Sequence, residues 1–100
     1  MINIGLYYKV KKGSEADFES IFNDVVSHLK KNVQGFQDAK IYRKVGEDEK
    51  TTEYMLYSEW SDLDAFREFT NSDAFRNTTS HGKSIIEGRP YHKIFKEIIE

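Results

Sequence analysis

Cysteine is absent from the sequence, which removes a disulfide framework, a thiolate nucleophile and any sulfur-ligated metal. No apolar run approaches the roughly 20 residues that a membrane-spanning helix requires. The first residues, MINIGLYYKV, alternate where a signal segment would form an apolar block. An excess of positive charge is also missing. Fifteen Lys and Arg stand against 17 Asp and Glu, for a net charge of −2, and the basic residues are spread along the chain. Nucleic acid is therefore not an expected partner, and neither is a membrane. The three histidines, His28, His81 and His92, are far apart and form no metal-ligand spacing. No dinucleotide fingerprint or phosphate-binding glycine loop occurs either. A cytoplasmic protein is the expectation. What the chain does have is aromatic residues, 14% of a polar sequence.

One hundred residues suit a single domain spanning 1–100. Ile2, Ile4, Leu6, Tyr8 and Val10 alternate, which predicts a strand over 2–11. Gly13 ends it, and Ser14 followed by acidic residues signals a helix start. Phe18, Ile21, Phe22, Val25, Val26 and Leu29 then recur at helical spacing until NVQG, with Gly35 free to take positive φ. Strands over 36–45 and 51–60 read as a hairpin across the charged turn GEDEK. The second, TTEYMLYSEW, ends on the only tryptophan, Trp60. Ser61-Asp62 and Ser72-Asp73 each signal a new helix, predicting segments 62–70 and 73–86. EGRP breaks the chain, and YHKIFKEII reads as a last strand.

The order is β-α-β-β-α-β with the second helical element divided. This is the α+β, ferredoxin-like split βαβ arrangement, with an antiparallel four-stranded sheet and helices on one face. Tyr7 lies opposite the Ile4-Leu6-Tyr8 face, and Met55 and Tyr57 lie opposite Tyr54, Leu56 and Trp60. A sheet face left to water should be polar. An open face carrying tyrosines and a methionine predicts a cover, and a second copy on a two-fold axis supplies it economically. A homodimer is expected.

The strand ending in Trp60, followed by SDLDAFREFTNSDAF and EGRPYHKIF, resembles the antibiotic biosynthesis monooxygenase (ABM) family of dimeric α+β barrel proteins. Trp60, Ala65-Phe66, Phe69, Ser72 and Phe75 carry the resemblance, with Gly35-Phe36 entering the second strand. These are mostly packing residues, so the pattern specifies the fold more than the reaction. The resemblance implies a homodimer with facing sheets and, in each subunit, a pocket between sheet and helices. It also implies a route of oxygen insertion without a cofactor, in which a quinol-type or polyphenolic aromatic is its own electron donor to dioxygen. The protein then supplies a dry pocket, a base, and donors for the resulting anion.

The candidate base is His81, since a histidine near a helix end titrates close to neutrality. Candidate substrate-binding groups are Trp60, Tyr7, Tyr57, Asn77, Arg89 and His92. Each has a plain structural alternative. Trp60 is a cleft floor or simply core, with an indole N–H that needs a partner. Tyr7 and Tyr57 can line a barrel, His92 can decorate the last strand, and Arg89 can hold a carboxylate. His28 falls on the polar side of the first helix and is read as solvent-facing. The heme-degrading branch of the fold uses an asparagine, a tryptophan and a histidine ligand where this chain has Leu6, Phe69 and Thr79. His81 sits two positions beyond the ligand place, most of the way round to the other face of the helix, so heme degradation stands below the other readings as an alternative that a frayed helix end would restore. A small-ligand-binding barrel without turnover is the other alternative, because pocket residues alone do not separate binding from catalysis.

Overall fold

A computed structural model describes residues 1–46 and 50–98, apart from the side chains of Thr79 and His81. The elements are β1 (Ile2–Lys11), α1 (Glu15–Asn32), β2 (Phe36–Arg43), β3 (Thr51–Trp60), α2 (Leu63–Thr70), α3 (Asp73–Gly82) and β4 (Tyr91–Lys96). A 3-10 turn, Lys83–Ile85, follows α3. The strands form one sheet in the order β2-β3-β1-β4, with every pair antiparallel. This is the ferredoxin-like α+β arrangement that the order of elements predicts. Among the described residues, no helix is long and apolar enough to cross a membrane.

Three boundaries differ from expectation by more than one residue. The helix expected over 73–86 ends at Gly82 because β1 captures the chain beyond it. Ile86 bridges to Val10, the Glu87 N–H donates to the Lys9 carbonyl at 2.7 Å, and Lys11 Nζ donates to the Ser84 carbonyl at 2.9 Å. The second strand was expected to reach 45 and stops at Arg43, with one further bond, Lys44 N–H to the Glu53 carbonyl at 2.9 Å. The last strand stops at Lys96 because its partner ends there: Lys96 pairs with Ile2, the first residue of β1. Ile99, within the expected strand, lies outside the described residues.

The core is the helix-facing side of the sheet. One cluster holds Ile4, Leu29, Trp60, Ala65, Phe66 and Phe69, and a second holds Val10, Phe18 and Tyr54. Trp60 is 1% exposed. Its indole packs against Phe36, Phe66 and Phe69 with ring centroids 5.2, 5.5 and 5.8 Å away. Its Nε1–H donates to Ser58 Oγ at 3.0 Å, which removes the cost of burying an unpaired donor.

The first turn of α2 rests on the α1–β2 turn. Gly35 has φ +93, and a Cβ there would lie 2.6 Å from Ala65 Cβ and 2.9 Å from Ser61 Oγ. Its carbonyl accepts from the Ser61 N–H at 2.7 Å. Asp62 caps α2 by accepting from the Ala65 N–H at 2.9 Å. At the other end of the sheet, the Tyr54 hydroxyl donates to Glu19 Oε2 at 2.5 Å. Arg43 also donates to that carboxylate, tying α1 to β2 and β3.

Replacing Trp60 with Ala is expected to cost about 3–5 kcal/mol of stability, measured by chemical denaturation. Gly35→Ala should cost at least about 1–3 kcal/mol, because it combines a left-handed backbone with a contact no Cβ can make. A near-neutral result would mean that α2 does not rest on this turn.

The Tyr54–Glu19–Arg43 cluster sets two pH limits. Hydrogen bonds from Tyr54 and then Arg43 hold the Glu19 carboxyl below its ordinary 4.5. Its stabilisation is therefore present above pH 4.5 and fades as pH falls through the folded value. Burial first, then the bond to Glu19, pushes the Tyr54 phenol up from 10.0 to about 12. Its contribution is present below pH 10.0 and is lost as pH rises toward about 12. Denaturation across pH should show a shallower acid limb in Glu19→Gln and a shallower alkaline limb in Tyr54→Phe.

Candidate ligand cleft

The break between α2 and α3 opens the molecule on the helix side. Asn71 closes α2, and Ser72 turns extended at φ −82 and ψ 158. The Ser72 hydroxyl donates to the Phe69 carbonyl at 2.6 Å and accepts from the Phe75 N–H at 3.2 Å. One side chain thus ends the first helix and starts the second in a new direction. Phe75 stays packed on Phe69, with centroids 5.3 Å apart, while the rest of α3 leaves a cleft of about 640 Å³ against α1.

The floor of this cleft is apolar: Ile21 and Val25 of α1, Phe69 at the end of α2, and Ile85 of the 3-10 turn. Its rim is polar. Asp17, Ile21, Asp24 and His28 follow one another at i, i+4, i+7 and i+11, so α1 brings them to one face. Asn77 and Thr78 line it from α3. The Thr78 hydroxyl is spent on the Ala74 carbonyl at 3.0 Å. The Asn77 carboxamide makes no hydrogen bond among the described residues and is available to a ligand. Asn32 Nδ2 lies 3.3 Å from His28 Nδ1 and donates to the His28 carbonyl at 3.2 Å. With Nδ1 accepting from that amide, the neutral imidazole carries its proton on Nε2 and is a donor there. An apolar floor with a few placed polar groups is the usual make-up of a small-molecule site.

The residues singled out from sequence fall in several places. Asn77 lines the cleft. Trp60 lies beneath it and reaches it only through Phe69, on which it stacks with an interplanar angle of 28°. The space between sheet and α2 is filled by these rings, so the cleft lies between α1 and α3. His92 is on the helix side of β4, exposed, its ring 6.0 Å from that of Phe66. Arg89 is exposed in the connection to β4. His81 belongs to the last turn of α3, and its side chain lies outside the described residues.

Tyr7 and Tyr57 are on the other face of the sheet. Tyr7 stacks on Tyr91 at 4.9 Å and covers Gly5, where a Cβ would meet its Oη at 3.1 Å. The Tyr57 hydroxyl donates to Glu59 Oε1 at 3.0 Å, and burial followed by that bond raises its pKa. Tyr42, Tyr91 and Phe95 share this face at 46%, 57% and 50% exposure.

Sequence reasoning missed the contribution of α1. The polar side of α1 leaves His28 exposed, as its spacing predicts, and the same residue also borders the cleft with Asp24 and Asp17. The signal was present in the spacing, which places His28 beside the Ile21–Val25 edge of the apolar stripe. What spacing does not show is that α3 stands away from that edge.

Residues 1–80 match the antibiotic biosynthesis monooxygenase family. A protein of Natronomonas pharaonis named "Putative heme-binding protein" is 33% identical over 89 residues. The match covers 89% of this chain but 14% of that relative's length. A crystal structure from Caulobacter crescentus, described as a "putative antibiotic biosynthesis monooxygenase", superposes with a TM-score of 0.87 at 20% identity, covering 98% of this chain and 90% of the other. SnoaB, a cofactor-independent oxygenase from Streptomyces nogalater, superposes with a TM-score of 0.79 at 20% identity, covering 99% and 95%. At these identities the likeness to the solved structures concerns the fold. With the family match over most of its length, the divided second helix and the Trp60-centred core, this chain belongs to the antibiotic biosynthesis monooxygenase family.

Proposed function

We propose that the protein is a homodimeric monooxygenase that oxidises a hydroxylated, quinol-type aromatic in the α1–α3 cleft, with the substrate as reductant and no added cofactor. A cytoplasmic location belongs to the same reading. The observation that carries it is the cleft itself: a ring-sized apolar floor with donors on two sides, in a chain of this family. The His28 Nε2–H and the Asn77 amide are the donors that hold the substrate oxygen as negative charge grows on it. His81, on α3, is the base, and Trp60 keeps the floor rigid through Phe69. Removal of a proton gives an electron-rich carbanion that passes electrons to dioxygen. One oxygen atom ends as a carbonyl on the attacked ring carbon. The other leaves as water with the hydrogen of that carbon and the hydrogen of the ring hydroxyl, so no outside reductant is needed.

The open sheet face supports the dimer. It exposes Tyr42, Tyr91 and Phe95, and it buries Asn3 Oδ1 without a partner among the described residues. A second copy covers the first and offers donors to the second.

Oxygen uptake by the purified protein with a panel of quinols and anthrones is the test. Turnover should rise with pH over the range where an imidazole loses its proton. His81→Ala should flatten that rise, whereas His28→Ala should lower turnover about 10²-fold, as loss of an oxyanion donor does, while keeping the pH profile. Uptake with no member of the panel overturns the enzymatic reading in favour of a binding protein. Sedimentation should give a dimer; a stable monomer at micromolar concentration overturns the paired-sheet assembly.

A further inference from the structure

A histidine donates from one ring nitrogen only if the other is otherwise engaged, and for His28 the engaging group lies one turn further along α1. Asn32 is the last residue of that helix, four positions after His28, so the two side chains share a face. Its carboxamide reaches two atoms of the histidine. Asn32 Nδ2 lies 3.2 Å from the His28 carbonyl oxygen and 3.3 Å from His28 Nδ1.

The chemistry of these atoms fixes the ring. A carbonyl oxygen only accepts, so the end of the carboxamide beside it is the NH2 and not the oxygen. That NH2 has a second hydrogen for Nδ1, which must then present its lone pair. A neutral imidazole carries one proton, so Nε2 holds it. The opposite tautomer would aim an N–H at a donor. A carboxylate partner at Nδ1 would impose that tautomer. Asp24, the acid one turn back on the same rim, makes no hydrogen bond or ion pair with the ring among the described residues. An exposed histidine left free would also swing. With Nδ1 tied to the next turn, Nε2 is the nitrogen left for the cleft that His28 lines.

We infer that Asn32 is a positioning residue for this site: by donating to Nδ1 it holds His28 in the Nε2–H tautomer and orients that N–H for the substrate oxygen. Asn32 is outside the cleft lining and acts only through the ring. The inference rests on the reading of His28 as an oxyanion donor, while the state of the ring can be measured without substrate.

Asn32→Asp is nearly isosteric and reverses the sense of the bond, since a carboxylate only accepts. Asn32 is exposed at the helix end, so circular dichroism should show the fold retained. Long-range proton–nitrogen NMR spectra at alkaline pH, with the imidazoles neutral and His28 assigned by His28→Ala, read the tautomer. The unaltered protein should carry the His28 proton on Nε2 alone, and Asn32→Asp should move it to Nδ1. Oxygen uptake with an anthrone reads the consequence. Asn32→Asp should lower turnover by about 10²-fold, as loss of an oxyanion donor does. In a His28→Ala background the same substitution should change turnover no further, which a merely structural role would not give. A mixed or Nδ1–H ring in the unaltered protein, a tautomer indifferent to Asn32→Asp, turnover unmoved by the switch, or an equal loss in the His28→Ala background overturns the inference. A tautomer that follows residue 32 without any oxygen uptake supports the positioning and overturns only the reaction.

Discussion

The indole of Trp60 is the contact on which the arrangement of the helices depends. It sits at the last residue of the central strand β3, paired with Ile2 of β1 on one side and Phe36 of β2 on the other. Three strands therefore converge beneath one side chain. Phe66 and Phe69 of α2 close over it, and Ser58 satisfies its N–H two residues earlier on the same strand. A large flat ring with a satisfied donor fills a volume that several aliphatic side chains would fill less completely. Gly35 completes the corner by letting Ala65 approach where a side chain would block it.

The cleft follows from that fixed corner. Phe69 is held from below by Trp60 and from the side by Phe75, so the end of α2 cannot relax toward α1. Ser72 then redirects the chain, and the β1 end captures it again at Ile86 and Glu87. Helix α3 is thus suspended between two anchored points. Among the described side chains of α3, those that face the apolar residues beneath it, Ile21, Val25 and Ile85, are Ala74, Asn77 and Thr78, which are too small to cover them. Small and polar residues on one helix, facing an apolar stripe on another, produce an opening and not a packed interface.

The two faces of the sheet do different work. The helix side holds the core and the floor of the cleft. The other side holds Tyr7 laid over Gly5, Tyr91 stacked on Tyr7, and a cation, Lys93 Nζ, 5.8 Å from the Tyr7 ring. A glycine at this position leaves room for the tyrosine ring to lie along the sheet. Residues that alternate along one strand therefore serve unrelated ends: Leu6 and Tyr8 belong to the core side, and Tyr7 between them belongs to the opposite face.

Much of this was legible in the residues alone. Alternation in Ile2, Ile4, Leu6, Tyr8 and Val10, the helical recurrence from Phe18 to Leu29, and the two start signals at Asp62 and Ser72 determined the elements and their order, because backbone periodicity and capping are local. The same alternation separated Tyr7, Met55 and Tyr57 from the core. The candidate site was legible only in part. Asn77 could be named from sequence, yet its companions on α1 could not, since His28 and Asp24 look like any solvated helix face until α3 is placed opposite. Whether Trp60 was wall or core depended on three rings, Phe36, Phe66 and Phe69, that only the fold brings together on it. Distances between elements, and hence which side chains share a space, are set by packing across the whole sheet, and no local pattern encodes them.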